Sequence, residues 1–333
     1  MGVSVSTDWK LRDLRAVVLE NELLRVVLLP ELGGKIWQIE YRPRSRYLLW
    51  HHPRLKPREV PLHSVYDDVF FGGWDELYPN DLPEELNGER MPDHGEVWAL
   101  PWECGVEAAS GDAATVRLQV ETPISATRLE RWITLRAGEP TLRCRYRLTN
   151  LGREPQPFLW KVHVAVGVDE HCRIDLPATE MYLEEFGRSR GGRTGLAYRW
   201  PYLEGERGEL HDMRRALPPV SGVCEFQYAT RLEAGWCAVT HAREGLSFAL
   251  AFDPEVLSSC WLFASYGGWR GLQVLVLEPC TGYPISVNEG LRRGTHRVLH
   301  PGAQVECELL AVVHEGGKGV AHVGLDGHVE PER

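Results

Sequence analysis

No run in this 333-residue chain approaches the roughly twenty consecutive apolar residues that a membrane-crossing helix needs, and residues 1–10 lack the basic start and apolar core of a secretion signal. The expectation is a cytoplasmic protein without a membrane partner. Basic residues are in deficit, 37 Lys and Arg against 47 Asp and Glu for a net charge of -10, whereas nucleic-acid footprints are basic. No nucleic-acid partner is expected, and a small metabolite is the better default. The eight cysteines (Cys104, Cys144, Cys172, Cys224, Cys237, Cys260, Cys280 and Cys307) include no close pair, which excludes a disulfide-stapled small domain and argues against a zinc site. Cys144 and Cys237 lie in apolar alternating stretches and read as core residues. Adjacent His51 and His52 would point to opposite faces of a strand, and His211 with Asp212 reads as solvated, so no metal is assigned.

Long amphipathic helices, a βαβ rhythm, internal repeats and a domain linker are also missing. The chain instead carries short runs rich in Val, Ile, Leu and aromatics, such as Ala16–Leu19, Leu23–Leu29, Lys35–Tyr41 and Ala114–Val120, separated by turn residues. In Thr141–Asn150, Leu142, Cys144, Tyr146 and Leu148 alternate with Arg143, Arg145 and Arg147, giving one core face and one wet face. These signals recur to about Val313 and predict an all-β fold, a large antiparallel β sandwich. The expected organisation is a single domain over 1–315 and a flexible tail over 316–333. Pro53–Glu96 and Glu180–Gly222 interrupt the pattern and read as irregular covers over a site. With 43% hydrophobic residues, the chain can bury a large core, and its twelve Trp and eleven Tyr either fill that core or offer faces to a sugar, which composition does not decide.

Four clusters carry candidate chemistry. Phe71–Asn80 holds two glycines with Trp74, Asp75, Glu76 and Asn80 and no strand alternation; its acids would accept hydrogen bonds from hydroxyls, or it is a turn with solvated acids. Asp93–Trp98 places His94 beside Gly95, with Trp98 as an aromatic neighbour, where the imidazole would donate to a ligand oxygen or be an ordinary surface histidine. Phe158–Ala165 is an apolar strand whose Lys161 and His163 share one face, which is costly unless that face lines a polar cleft. Leu275–Pro284 ends an aliphatic run on Glu278, followed by Tyr283; an apolar setting favours a general base, and a strand-end ion pair is the alternative.

In this order the clusters resemble the aldose 1-epimerase (galactose mutarotase-like) superfamily. Leu29–Ile36 with its Gly33-Gly34 turn looks like the opening strand pair, Gly72-Gly73 to Pro79 like the loop entering the site, and His94-Gly95 like the first His-Gly motif. Thr149-Asn150, Pro157 and His163 look like the segment bearing the acid histidine. Leu277-Glu278-Pro279 with Tyr283-Pro284, then Pro301-Gly302 and the strand to Val313, look like the closing segment bearing the base glutamate. The resemblance implies a β supersandwich that interconverts sugar anomers without a cofactor. Glu278 would take the anomeric proton, an imidazolium at His163 would protonate the ring oxygen, and His94 would hold an oxygen. Trp74, Asp75, Glu76, Asn80, Trp98, Lys161 and Tyr283 would bind the sugar. An arginine expected near the first His-Gly motif is absent, and Lys161 would supply its charge. The implied partner is a monosaccharide or sugar derivative, for a monomer or homodimer. The alternative is a carbohydrate-binding protein that uses the same cleft without turnover; a polysaccharide lyase or glycoside hydrolase accessory domain would share the architecture.

Overall fold

The computed structural model describes residues 2–332, and it is built of antiparallel β-sheets with little helix, as the turn-punctuated pattern predicts. Contacts gather the chain into two compact units, Met1–Val164 with Cys280–Leu309, and Ala165–Pro279 with Leu310–Arg333. The single domain expected over 1–315 does not mark this division.

In the first unit, strands β1 (Ser4–Leu11), β2 (Leu14–Glu20), β3 (Leu24–Leu29) and β4 (Lys35–Tyr41) run antiparallel in chain order. Strand Trp74–Leu77 follows β4, and the strand beginning at Lys161 pairs with it, His163 opposite Asp75. A second sheet is the meander Glu103–Ala109, Ala113–Glu121, Thr127–Arg136 and Thr141–Asn150. Its last strand buries Leu142, Cys144, Tyr146 and Leu148 and turns Arg143, Arg145 and Arg147 outward, as read from the alternation. The outward Arg145 guanidinium lies 4.0 Å above the Trp132 ring and shields it. The inward faces of the two sheets meet at Trp74 and Glu76 on one side and Arg131 and Tyr146 on the other.

Two local devices shape the first sheet. Val27 faces Gln38 while Leu28 faces Ile36, so Trp37 is the extra residue of a β-bulge. Ile36 and Ile39 fill the core face, leaving Lys35, Trp37, Gln38 and Glu40 to the opposite one. At the preceding turn Gly33 has φ of +65°, and a Cβ there would sit 2.3 Å from the Trp98 carbonyl oxygen. Only glycine fits, and the Gly33 N–H donates to the Leu100 carbonyl, tying the turn to the segment after His94.

In the second unit the strand order is Leu196–Arg199, Ala178–Leu183, Val223–Leu232, Ser259–Tyr266 and Gln273–Cys280. Glu180–Gly222, expected as an irregular cover, therefore begins inside a sheet strand and also forms a hairpin, Tyr202–Glu204 with Leu210–Asp212. The tail expected to fray forms a hairpin too, Val320–Val323 with Val329–Pro331. Val320, Val323 and Val329 pack against Trp236, Ala238, Ala249, Ala251, Leu310 and Val312, and that apolar contact orders a segment whose Gly and His content reads as loop. Among the described residues no helix is long and apolar enough to cross a membrane.

Candidate functional site

The stretch read as a loop around Trp74–Leu77 is a strand buried on both faces. Alternation was invisible because each face carries one acid: Asp75 points to the side of His163, and Glu76 points into the core. Glu76 is fully buried, accepting from Arg131 Nη1 at 3.0 Å, Tyr146 Oη at 2.8 Å, Trp160 Nε1 at 2.9 Å and Trp74 Nε1 at 3.2 Å. Burial pushes its carboxyl upward even against these donors. Trp74 is likewise fully buried with its N–H committed, so neither it nor Glu76 presents a surface to a sugar.

Asp75 belongs to a different network. Its Oδ2 accepts from Lys35 Nζ at 2.5 Å and from Tyr66 Oη at 2.7 Å, and Lys35 also donates to the Gly72 carbonyl. Burial pulls the Lys35 pKa down against the Asp75 charge. Asp75 Oδ1 is buried without a hydrogen-bond partner. The Tyr66 oxygen also lies 3.2 Å from His163 Nδ1. A phenol has one proton, and the shorter contact to a carboxylate claims it, so His163 donates from Nδ1 to Tyr66 and leaves Nε2 as an acceptor. Phe70 and Tyr66 flank the His163 ring edge-on at 5.6 and 5.3 Å.

His94 sits on the other side of Tyr66, stacked on it at 4.5 Å. Its backbone is left-handed, φ +58°, and its N–H donates to the Asp81 carbonyl at 2.6 Å. Next to it a Cβ on Gly95 would lie 2.1 Å from the Tyr78 oxygen, so glycine is required where this loop docks onto the strand end. His94 Nδ1 meets Asp93 Oδ1 at 3.0 Å, and Nε2 lies 3.7 Å from Asp81 Oδ1, beyond hydrogen-bond range. Lys161 closes the array with an ion pair to the other Asp81 oxygen. The charge expected to stand in for a missing arginine is therefore countered by Asp81.

These surroundings drive the two imidazoles apart. His163 falls well below its ordinary value of 6.5 through burial and then through the charges of Lys161, His94 and Lys35. At His94 burial acts in the same direction, but Asp81 and Asp93 outweigh it and the pKa rises. These directions favour the neutral ring at His163, where an imidazolium was expected, and the charged ring at His94.

Of the other expected residues, Trp98 stands edge-on to Tyr66 at 4.9 Å with its N–H on the Asp93 carbonyl. Asn80 clamps its own loop, donating to the Leu82 and Pro92 carbonyls at 2.7 Å each. Tyr283 is half-buried in the segment after Cys280, its carbonyl accepting from Thr295 Oγ1. Glu278 lies in the second unit, 1% exposed on strand Gln273–Cys280. Sequence reasoning missed Lys35, Tyr66, Asp81 and Asp93. A lysine between a glycine turn and an otherwise apolar strand was the one available signal. Elsewhere in the second unit, Cys172 Sγ lies 3.3 Å from Asp169 Oδ1 and 3.2 Å from His241 Nδ1, a metal-capable trio among the described residues that sequence spacing did not reveal.

No protein-family model matches the chain. Solved structures do. A candidate aldose 1-epimerase from Klebsiella pneumoniae superposes with a TM-score of 0.73 at 16% identity, over 94% of this chain and 83% of that one. A galactose mutarotase-like protein from Clostridium acetobutylicum gives 0.68 at 13% identity over 94% and 99%, and a protein from Synechocystis gives 0.66 at 20% identity over 94% and 98%. The chain has the galactose mutarotase-like β-sandwich fold.

Proposed function

We propose that this chain, sharing the fold of galactose mutarotase-like proteins, binds a sugar at the array around Tyr66 and interconverts its anomers. Anomer exchange needs one group to take the proton of the anomeric hydroxyl and another to protonate the ring oxygen. The observation that carries the reading is a pair of imidazoles on one tyrosine whose environments push their pKa values in opposite directions, the pattern that separates acid from base. His94 is the acid in this proposal: Asp93 orients the ring through Nδ1, and Nε2–H is aimed at the ring oxygen. His163, its pKa lowered by burial and its tautomer set through Tyr66 and Asp75, accepts a sugar hydroxyl at Nε2. Glu278 keeps the base role that the resemblance implies. The ring opens as its oxygen gains the proton from His94 and the anomeric oxygen loses one to Glu278, the aldehyde rotates, and closure reverses both transfers.

Anomer exchange measured by NMR across aldoses, uronic acids and sugar phosphates tests this. The expected result is exchange faster than in buffer, reduced roughly 100-fold or more by Glu278→Gln and by His94→Gln, the size of a lost general acid or base. If His163→Gln abolishes exchange while His94→Gln keeps it, the acid reverts to His163. No acceleration on any sugar, with shifts showing that one binds, replaces the enzyme by a carbohydrate-binding protein.

A further inference from the structure

Away from the array around Tyr66, within the second unit, three side chains of metal-ligand type converge. Cys172 opens the short strand Cys172–Asp175, which lies at the edge of its sheet, and it stands directly opposite His241 on strand Trp236–His241. Residues facing each other across antiparallel strands share one face, and Cys172 Sγ lies 3.2 Å from His241 Nδ1. Asp169 comes from the turn just before the strand. The Cys172 N–H donates to its carbonyl at 3.0 Å, its Oδ1 lies 3.3 Å from Sγ, and its own N–H donates to the same sulfur at 3.3 Å. The backbone around the trio is tied down. The His171 N–H donates to Asp169 Oδ1 at 2.9 Å, and the Glu244 and Gly245 N–H groups donate to the His241 carbonyl at 3.0 and 2.9 Å. Burial grades outward from Cys172, buried, through His241, half-buried, to Asp169, exposed, so solvent reaches one side of the trio.

We propose that Asp169, Cys172 and His241 form a zinc-binding site with one coordination position left to water. Thiolate and imidazole together select a borderline-soft ion such as zinc over magnesium or calcium, which take oxygen ligands. Ligand atoms about 2.0–2.3 Å from a tetrahedral zinc lie roughly 3.3–3.6 Å from one another. The observed contacts of 3.2 and 3.3 Å therefore open only slightly to admit the ion. On binding, the Cys172 S–H bond breaks, the sulfur electron pair forms the bond to zinc, and the proton leaves to solvent, with no change of oxidation state. Nδ1 is the binding nitrogen of His241, which puts the ring proton on Nε2. The ion cross-links the turn, the edge strand and its neighbour. A separation of 69 residues between Cys172 and His241 hides the set from sequence spacing, which reveals zinc ligands where they come as close pairs. The site shares no residue with the sugar-binding reading, and the two stand or fall separately.

The test titrates zinc chloride into the metal-free full chain by calorimetry, where one equivalent should bind. X-ray absorption at the zinc edge of the wild-type protein should show one sulfur at about 2.3 Å with nitrogen or oxygen at about 2.0–2.2 Å. Cobalt(II) in place of zinc should give a sulfur-to-metal charge-transfer band that Cys172→Ser removes. Asp169→Ala, at an exposed position, should weaken zinc roughly tenfold or more. Zinc at about a hundred times its Kd should shift the folding equilibrium about a hundredfold and raise the thermal midpoint, a rise missing in His241→Ala. Excess magnesium or calcium should displace none of it. Where Cys172→Ser or His241→Ala fails to fold, the wild-type absorption spectrum and Asp169→Ala still answer. Failure to bind stoichiometric zinc, a coordination sphere without sulfur, a cobalt band that persists in Cys172→Ser, unchanged affinity in Asp169→Ala, or displacement by calcium overturns the proposal.

Discussion

His94 and His163 touch the same phenol yet are pushed in opposite directions, because carboxylates outweigh burial at His94 whereas at His163 burial and then the neighbouring positive charges act together. That difference has a signature in stability. Below pH 6.5 the unfolded chain protonates His163 while the folded chain does not, so the unfolded state binds more protons and stability falls as the pH is lowered. At His94 the folded state keeps a proton that the unfolded state releases above 6.5, so its contribution is full below that value and is lost as the pH rises through the raised pKa. We therefore expect His163→Gln to flatten the acid limb of a Tm-against-pH curve and His94→Gln to flatten the alkaline limb. Parallel curves for all three proteins would refute the charge assignment. At this scale the sequence reading went part of the way. Lys161 and His163 on an apolar strand face announced a polar cleft, but their partners Asp81, Asp75 and Tyr66 come from a stretch some 80 to 100 residues earlier in the chain. Only the sheet pairing of Asp75 with His163 brings them into register.

Trp74–Leu77 is the element on which both halves of the site argument turn. Its four residues serve two faces, so a strand with an acid on each side has no apolar period and reads as a loop. By contrast Thr141–Asn150, wet on one face, was legible to the residue. The inward acid predicts a specific cost. Glu76→Gln leaves the fully buried Arg131 without its counter-charge and should destabilise by about 3–5 kcal/mol, as one-sided loss of a buried pair does. Arg131→Met should cost a similar amount. Because each single change strands the other partner, the double variant should be less unstable than the sum, by about 0.5–3 kcal/mol in urea unfolding. Strict additivity would mean that Tyr146, Trp160 and Trp74 alone satisfy Glu76 and that the ion pair contributes nothing.

Across the whole molecule, the all-β class followed from recurrent short strands, and the division into two units did not, because both units are discontinuous in sequence and no linker marks their limits. The last eighteen residues show the same limit from the other side. Composition assigned them to a fraying tail, yet three valines spaced over Val320–Val329 carry the hairpin onto Trp236, Ala238 and Ala249. A second anchor is polar: Asp175 Oδ2 accepts from the Val320 N–H at 3.0 Å while Oδ1 accepts from Arg173 Nε at 2.8 Å. Burying one valine is worth about 1.5–3 kcal/mol, so removing the three together should cost on the order of 5 kcal/mol. Truncation after Glu315 is therefore expected to lower the unfolding midpoint sharply and to raise amide exchange first in strands Trp236–His241 and Leu246–Phe252, which lose their cover. Val320→Ala with Val329→Ala should give a smaller loss of the same kind. If truncation left both the midpoint and the exchange of those strands unchanged, the hairpin would be an adornment, and the tail would behave as its composition suggests.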